Sequence, residues 1–323
     1  MSDAAVPDGY SALREGCAVV ERSWVACWEV SGADRQRFLN AYLTCDVKVL
    51  APGAGAYGFF TDKQGRIEAD AVVLALADRL RVELPADRAG AQAERLRKFV
   101  IADRVEIVAG AELVPLTLAG PAAEELLAAA GAPALPEAAW SHAPAAPFGV
   151  EVILVRQGRM GAPAFTLWGP AAAAPELAAA FAARGAVPAS FEALEVVRVE
   201  AGIPRFGADF GPENFPQETG IEEAVSYTKG CYLGQEVVAR IHYRGGVQRR
   251  LVGLAFDGDA APAHGAALRH DGREAGAVGS ALRSPALGRP IGLAIVHQRA
   301  AEPGTVLEVE GGGSAEVAAL PFL

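Results

Sequence analysis

The stretch Lys229-Gly230-Cys231-Tyr232-Leu233-Gly234-Gln235-Glu236 concentrates more chemistry than any other part of the 323-residue chain. It sets a lysine two residues before a thiol, on a glycine-permitted turn that leads into a short predicted helix. A nearby cation and a helix N-terminus both favour thiolate over thiol. Cys231 is therefore a candidate reactive cysteine, with Lys229 beside it; the plainer alternative is a buried, inert thiol. Cys17, Cys27 and Cys45 lack such neighbours and read as ordinary residues. Lysine occurs only at 48, 63, 98 and 229 among 29 basic residues, the rest being arginine. A compact ammonium with a movable pKa is not interchangeable with a guanidinium, which marks Lys229 further.

Two acids stand out upstream. Arg198-Val199-Glu200-Ala201-Gly202-Ile203-Pro204 ends a helix predicted over 191–201, with Ser190 as its cap and Gly202 and Pro204 as its stop. Glu200 falls in the last turn, where the helix dipole disfavours a carboxylate, so it is either solvated or accepts hydrogen bonds from a ligand. Asp70 interrupts an apolar strand predicted over 67–76. An edge position facing water is the ordinary reading, and it weakens if Asp70 points into a cavity. Gly53-Ala54-Gly55-Ala56-Tyr57-Gly58 satisfies GxGxxG literally, but Phe59, Phe60 and Thr61 continue as strand. A dinucleotide site needs a helix N-terminus there, so a turn into a hairpin is expected instead. The five histidines form no HExxH pattern, and no metal site is expected.

Strands predicted at 23–30, 57–61, 67–76, 80–84, 104–108, 113–119, 151–156 and 163–168 mix with helices at 87–100 and 122–130 and an Ala-rich helix ending near 183. The mixture lacks strict βαβ alternation and points to α+β. The Pro/Ala-rich stretch 131–147 reads as a loop, and 207–220 as an ordered loop. Beyond Arg250 only short strands and Gly/Pro turns remain, the pattern of a small β-barrel or sandwich. A boundary near Gly245–Arg250 divides residues 1–245 from a C-terminal domain, 246–323.

The formal charge of −10 argues against a general nucleic-acid coat, with a local basic patch from Arg240 to Arg250 as the exception. No apolar run reaches the roughly eighteen residues of a membrane span, and the acidic start is unlike a secretory signal. Four scattered cysteines suit a reducing compartment. A cytoplasmic protein with no membrane and no direct nucleic-acid partner is the expectation.

Lys229–Glu236 resembles the K-G-C-Y-x-G-Q-E signature of YgfZ-type folate-binding proteins, relatives of the glycine-cleavage T-protein (aminomethyltransferase). Ser31-Gly32-Ala33-Asp34 with Arg37-Phe38-Leu39, Thr44-Cys45-Asp46-Val47, the Glu200 block, Pro216-Gln217-Glu218, and Ser284-Pro285 before Ile291-Gly292 resemble further family blocks. The resemblance spans nearly the whole chain. It implies ferredoxin-like α+β modules, two of them intertwined within 1–245, and a C-terminal β-barrel around a folate channel. It implies tetrahydrofolate as cofactor, with Glu200 and Asp70 holding the pterin and Tyr232 and Gln235 near it. Arg240 or Arg244 would meet the glutamate tail, while Cys231 and Lys229 supply redox or covalent chemistry. Asp70 is similar to the T-protein's catalytic aspartate; Ala69 and Arg66 depart from that family's G-G-x-x-D-D pattern. The expected role is assembly or repair of iron–sulfur enzymes, including tRNA-modifying ones, with iron–sulfur proteins or assembly factors as partners. One cysteine in the motif does not hold a stable cluster. Aminomethyl transfer to tetrahydrofolate is the alternative, and a folate-stabilised docking module a third reading.

Overall fold

The computed structural model describes residues 6–110 and 112–323. The chain opens with helix α1 (Tyr10–Glu15) and strand β1 (Ala18–Glu21), then crosses at once into a different sheet through β2 (Val25–Ser31). A short helix, α2 (Arg35–Asn40), follows, with Phe38 and Leu39 on its buried side. The hairpin β3 (Gly55–Thr61) and β4 (Ile67–Ala75), then β5 (Leu80–Pro85), helix α3 (Ala86–Arg97) and β6 (Glu106–Ala109) complete this first layer. Its strand order is β3-β4-β5-β2-β6, so β4 is an interior strand. The GxGxxG segment runs into β3 with no helix after it, as its strand-like continuation required.

The second sheet takes β1 back. It contains β7 (Leu113–Ala119), β8 (His142–Ala145), β9 (Val152–Gln157), β10 (Ala164–Pro170) and β11 (Val187–Pro188), in the order β11-β1-β7-β10-β9-β8. Helices α4 (Ala123–Ala129) and α5 (Ala174–Ala182) flank it. The predicted loop 131–147 is thus only partly a loop: its end pairs as β8 along β9, His142 opposite Val155, despite Pro144 in the strand. An edge strand tolerates proline because one side of its backbone has no ladder to complete.

Helix α6 (Phe191–Glu200) is capped by Ser190, whose hydroxyl accepts from the Ala193 N–H. After the ordered loop 207–220, in which Asn214 donates to Glu218 at 3.0 Å, comes α7 (Gln235–Arg240), prolonged by one π-type turn over Ile241–Gly245. Six strands then close a barrel: β12 (Arg249–Phe256), β13 (Ala267–His270), β14 (Arg273–Ser284), β15 (Arg289–His297), β16 (Val306–Val309) and β17 (Ser314–Ala318). Full closure removes free sheet edges, which lets so short a segment stand without helices of its own. The fold is mixed α+β with a C-terminal β-barrel. Two core clusters, one around Trp28 and Phe60, the other around Phe59, Trp140 and Trp168, lie on opposite faces of the first sheet. Adjacent residues Phe59 and Phe60 supply both, as alternation along a strand demands.

Candidate functional site

A cavity of about 380 Å3 opens where both sheets meet α6. Strands β4 and β5 line it with Asp70, Val72 and Glu83; β9 brings Gln157, and α6 brings Phe191, Leu194, Glu195 and Arg198. Tyr57, Trp140 and Phe206 give it aromatic walls. Its size and its mainly apolar lining with a few polar groups match a small-molecule site.

Asp70 is not the solvent-facing edge residue that its type suggests: β4 is interior, and the side chain lines the cavity. Its Oδ2 accepts from the Tyr57 hydroxyl at 2.8 Å, while Oδ1 is buried and has no partner. Burial pushes the Asp70 carboxyl above the ordinary range, and the Tyr57 hydroxyl and the Arg159 charge pull partly back. Arg159 lies 5.0 Å over the Tyr57 ring and donates to Glu223 and to the Pro204 carbonyl. Tyr57 itself stacks near Trp140, with ring centroids 6.2 Å apart. The carboxyl is therefore held in one orientation with a hydrogen-bonding position to spare.

Glu195 accepts from both nitrogens of the Arg198 fork and both of the Arg205 fork, between 2.5 and 3.0 Å. Burial alone would raise its carboxyl, but the two guanidiniums more than reverse that and leave it lowered. Arg198 continues to Asp209 at 2.7 Å and to Ser280 of the barrel at 2.6 Å. This network fastens α6, the loop after it and the barrel together. It also forms a shared wall, because Glu195 and Arg205 line a second cavity beside the barrel.

The remaining predicted residues lie elsewhere. Glu200 is fully buried and accepts from the Tyr10 hydroxyl at 2.9 Å and the Ser284 hydroxyl at 2.5 Å. Neither solvent nor ligand space is its environment, and it lines neither cavity. Tyr232 is buried in the core cluster of Phe59, Gln235 begins α7, and Arg240 is exposed and bonded to Glu236. Of the residues expected around the pterin, only Asp70 lines the cavity between the sheets.

The 229–236 stretch is sewn onto the turn after α2. Lys229 is buried, and its ammonium donates to the carbonyls of Asn40, Leu43 and Cys45 at 2.8, 2.7 and 2.5 Å. All three hydrogens are spent there, and burial lowers its pKa to about 8. The Leu233 N–H bonds the Ala41 carbonyl, and Gly234 adopts φ +84° where a Cβ would stand 2.4 Å from the Asp62 carbonyl oxygen. The result is an exposed Cys231 on an anchored loop. Burial pushes the thiols of Cys17 and Cys45 to about 11 and Cys27 to about 12.

Residues 2–229 match the GCVT N-terminal domain family, and 249–323 match the glycine cleavage T-protein C-terminal barrel domain. The chain belongs to the glycine cleavage T-protein family. An aminomethyltransferase of Saccharopolyspora erythraea is 29% identical over 97% of this chain and 88% of its own length. A probable aminomethyltransferase of Natronomonas pharaonis is 32% identical over 97% and 89%. The crystal structure of the glycine cleavage system aminomethyltransferase T from Bartonella henselae superposes with a TM-score of 0.89 at 25% identity, covering 97% of this chain and 88% of that one. T-protein family members bind tetrahydrofolate. Among the described residues no helix is long and apolar enough to cross a membrane, and no group of three or more His, Cys, Asp or Glu is placed to hold a metal.

Glu83, Gln157, Tyr57, Arg159 and Glu195 line or flank the cavity without standing out in the sequence as site residues. Glu83 carried the same signal as Asp70, an acid inside an apolar strand. The others come together only through the fold.

Proposed function

We propose that the cavity between the sheets holds a reduced folate, with Asp70 as its proton-handling residue. The observation that carries this reading is the Asp70 carboxyl: interior, cavity-lining, fixed through Oδ2 by Tyr57 and unpartnered at Oδ1. A flat heterocycle rich in N–H groups fits that set of aromatic walls and open polar atoms. When bound, tetrahydrofolate supplies nitrogens that carry one-carbon units. Asp70 Oδ1 orients the ring and holds or releases a proton beside it, at a pKa that burial has already raised.

The role we assign to the folate-bound protein is support of iron–sulfur enzymes, tRNA-modifying enzymes among them. The 229–236 signature supports this, together with the exposed Cys231 that its anchored loop presents toward a partner protein. Lys229 acts there as a positioning residue, because its hydrogens are committed to backbone carbonyls. The second reading is aminomethyl transfer to tetrahydrofolate with Asp70 as acid and base. The names of the curated relatives fit this reading better than the iron–sulfur one.

Calorimetric titration with tetrahydrofolate tests the shared core: the wild type binds, and Asp70→Asn binds at least about tenfold more weakly. No binding by the wild type removes the folate reading. Tetrahydrofolate-dependent ammonia release from an aminomethyl-lipoyl carrier, retained in Cys231→Ser, would establish the second reading over the first.

A further inference from the structure

The cavity has a second polar end. Glu83 sits opposite Val72 in the β4–β5 register, two residues along from Asp70, so the two carboxylates face the same side of the sheet. Glu83 is 3% exposed. Its Oε1 accepts from the Trp168 indole N–H, whereas Oε2 lies 3.7 Å from the nearest Arg22 nitrogen, beyond hydrogen-bond reach. Arg22 donates to the Thr117 and Thr166 hydroxyls at 3.0 and 3.2 Å and stands beside Glu83 as its counter-charge. From the other sheet, the Gln157 side chain interacts with the Glu83 carboxylate and helps lower its pKa against burial, yet its Nε2 has no partner in full hydrogen-bonding geometry. An acceptor oxygen free of hydrogen bonds and a donor without a full partner thus lie close together in a buried site where Glu195, by contrast, is saturated by two guanidiniums.

We propose that Glu83 and Gln157 together read the amide–amidine edge of a 2-amino-4-oxopyrimidine ring. Glu83 Oε2 accepts from the ring N–H and the 2-amino group, and the Gln157 amide donates to the 4-oxo oxygen. This inference rests on the folate reading and specifies which end of the ring enters deepest. The selectivity follows from burial: a ring presenting a donor where the 4-oxo belongs leaves Gln157 facing another donor with no water to relieve it. Pterins and guanine share this edge, so both sources belong in the test.

Tetrahydrofolate, its 2,4-diamino counterpart in the same reduced state, and guanosine are titrated against the full chain by calorimetry. The wild type is expected to bind tetrahydrofolate and to bind the 4-amino ring at least about tenfold more weakly. Gln157→Leu is expected to weaken tetrahydrofolate about tenfold and to narrow the oxo-over-amino preference, the remainder coming from N3, which carries a hydrogen for Glu83 only in the oxo ring. Gln157 Nε2 has no full partner in the protein, so the variant is expected to fold with a melting temperature at or above the wild-type value. Glu83→Gln keeps an acceptor for Trp168 and is expected to weaken both rings, because the 2-amino group is common to them. Should Asp70→Asn weaken tetrahydrofolate while Glu83→Gln and Gln157→Leu retain wild-type affinity and preference, the edge assignment fails and the folate reading stands. Guanosine binding that depends on Glu83 and Gln157, without folate binding, keeps the edge and removes the folate. Binding of neither overturns both.

Discussion

Replacing Lys229 by methionine keeps most of the side-chain volume and removes one buried ammonium with three hydrogen bonds. A bond from a charged donor contributes about 1.5–3 kcal/mol, so three bring about 6 kcal/mol. Dehydration works against them. Burial takes the ammonium from 10.5 to about 8, and at about 1.4 kcal/mol per pH unit that is about 3.5 kcal/mol in the opposite direction. The balance is a loss of about 2–3 kcal/mol, to which the stranded carbonyls of Asn40, Leu43 and Cys45 add, so about 3 kcal/mol is expected. Urea unfolding followed by far-ultraviolet circular dichroism at pH 7 measures it, with an unchanged denaturant slope and a melting temperature lower by about 5–10 °C. Lys229→Arg recovers less than half, since a planar fork does not direct three donors to carbonyls gathered around one point. A loss under about 0.5 kcal/mol in Lys229→Met would refute the clamp, since three buried charged bonds are worth several times that. So would wild-type stability accompanied by lost function.

Three further outcomes follow from the geometry. Asp70→Asn is expected to be more stable than the wild type at pH 7. A carboxyl with a raised folded pKa contributes stability below the ordinary carboxylate range and loses it as pH rises through the raised value, so the gap closes toward pH 4; melting curves between pH 4 and 8 check it. Glu200→Ala is expected to cost about 3 kcal/mol by stranding the buried Tyr10 and Ser284 hydroxyls, whereas Glu200→Gln costs less, and tetrahydrofolate affinity of the folded Gln variant stays at the wild-type value. Gly234→Ala forces a methyl to within 2.4 Å of the Asp62 carbonyl oxygen at a left-handed φ. A stability loss above about 2 kcal/mol in urea unfolding, with faster labelling of Cys231, is the expected result.

What the sequence disclosed divides along a physical line. Strand alternation, the Ser190 cap and the Gly/Pro punctuation are local, and they yielded α6, the hairpin of β3 and β4, and the barrel texture. Two strands of the barrel, β13 and β17, were not legible: they are only four and five residues long and sit among Gly-rich turns. The crossing of the chain between sheets after β1 was equally silent, since nothing in residues 22–24 marks a change of sheet. Asp70 could be noticed because an acid in an apolar strand is costly anywhere. Glu200 drew notice because a carboxylate in the last turn of a helix is disfavoured, which left solvent and a ligand as equal readings. Its hydroxyl partners are instead Tyr10 and Ser284, 190 residues before it and 84 after, with Arg14 3.9 Å away. Residue type announces that a charge needs partners; only the fold names them.

Those separations also constrain the order in which the newly made chain can settle. Helix α6 is synthesised well before Ser284, and the backbone N–H groups of Phe322 and Leu323 both end on the Glu200 carbonyl. Until then the carboxylate lacks one of its two hydroxyl partners, and dehydrating it in that condition costs several kcal/mol. The end of α6 is thus expected to stay hydrated until the barrel strand that carries Ser284 docks against it.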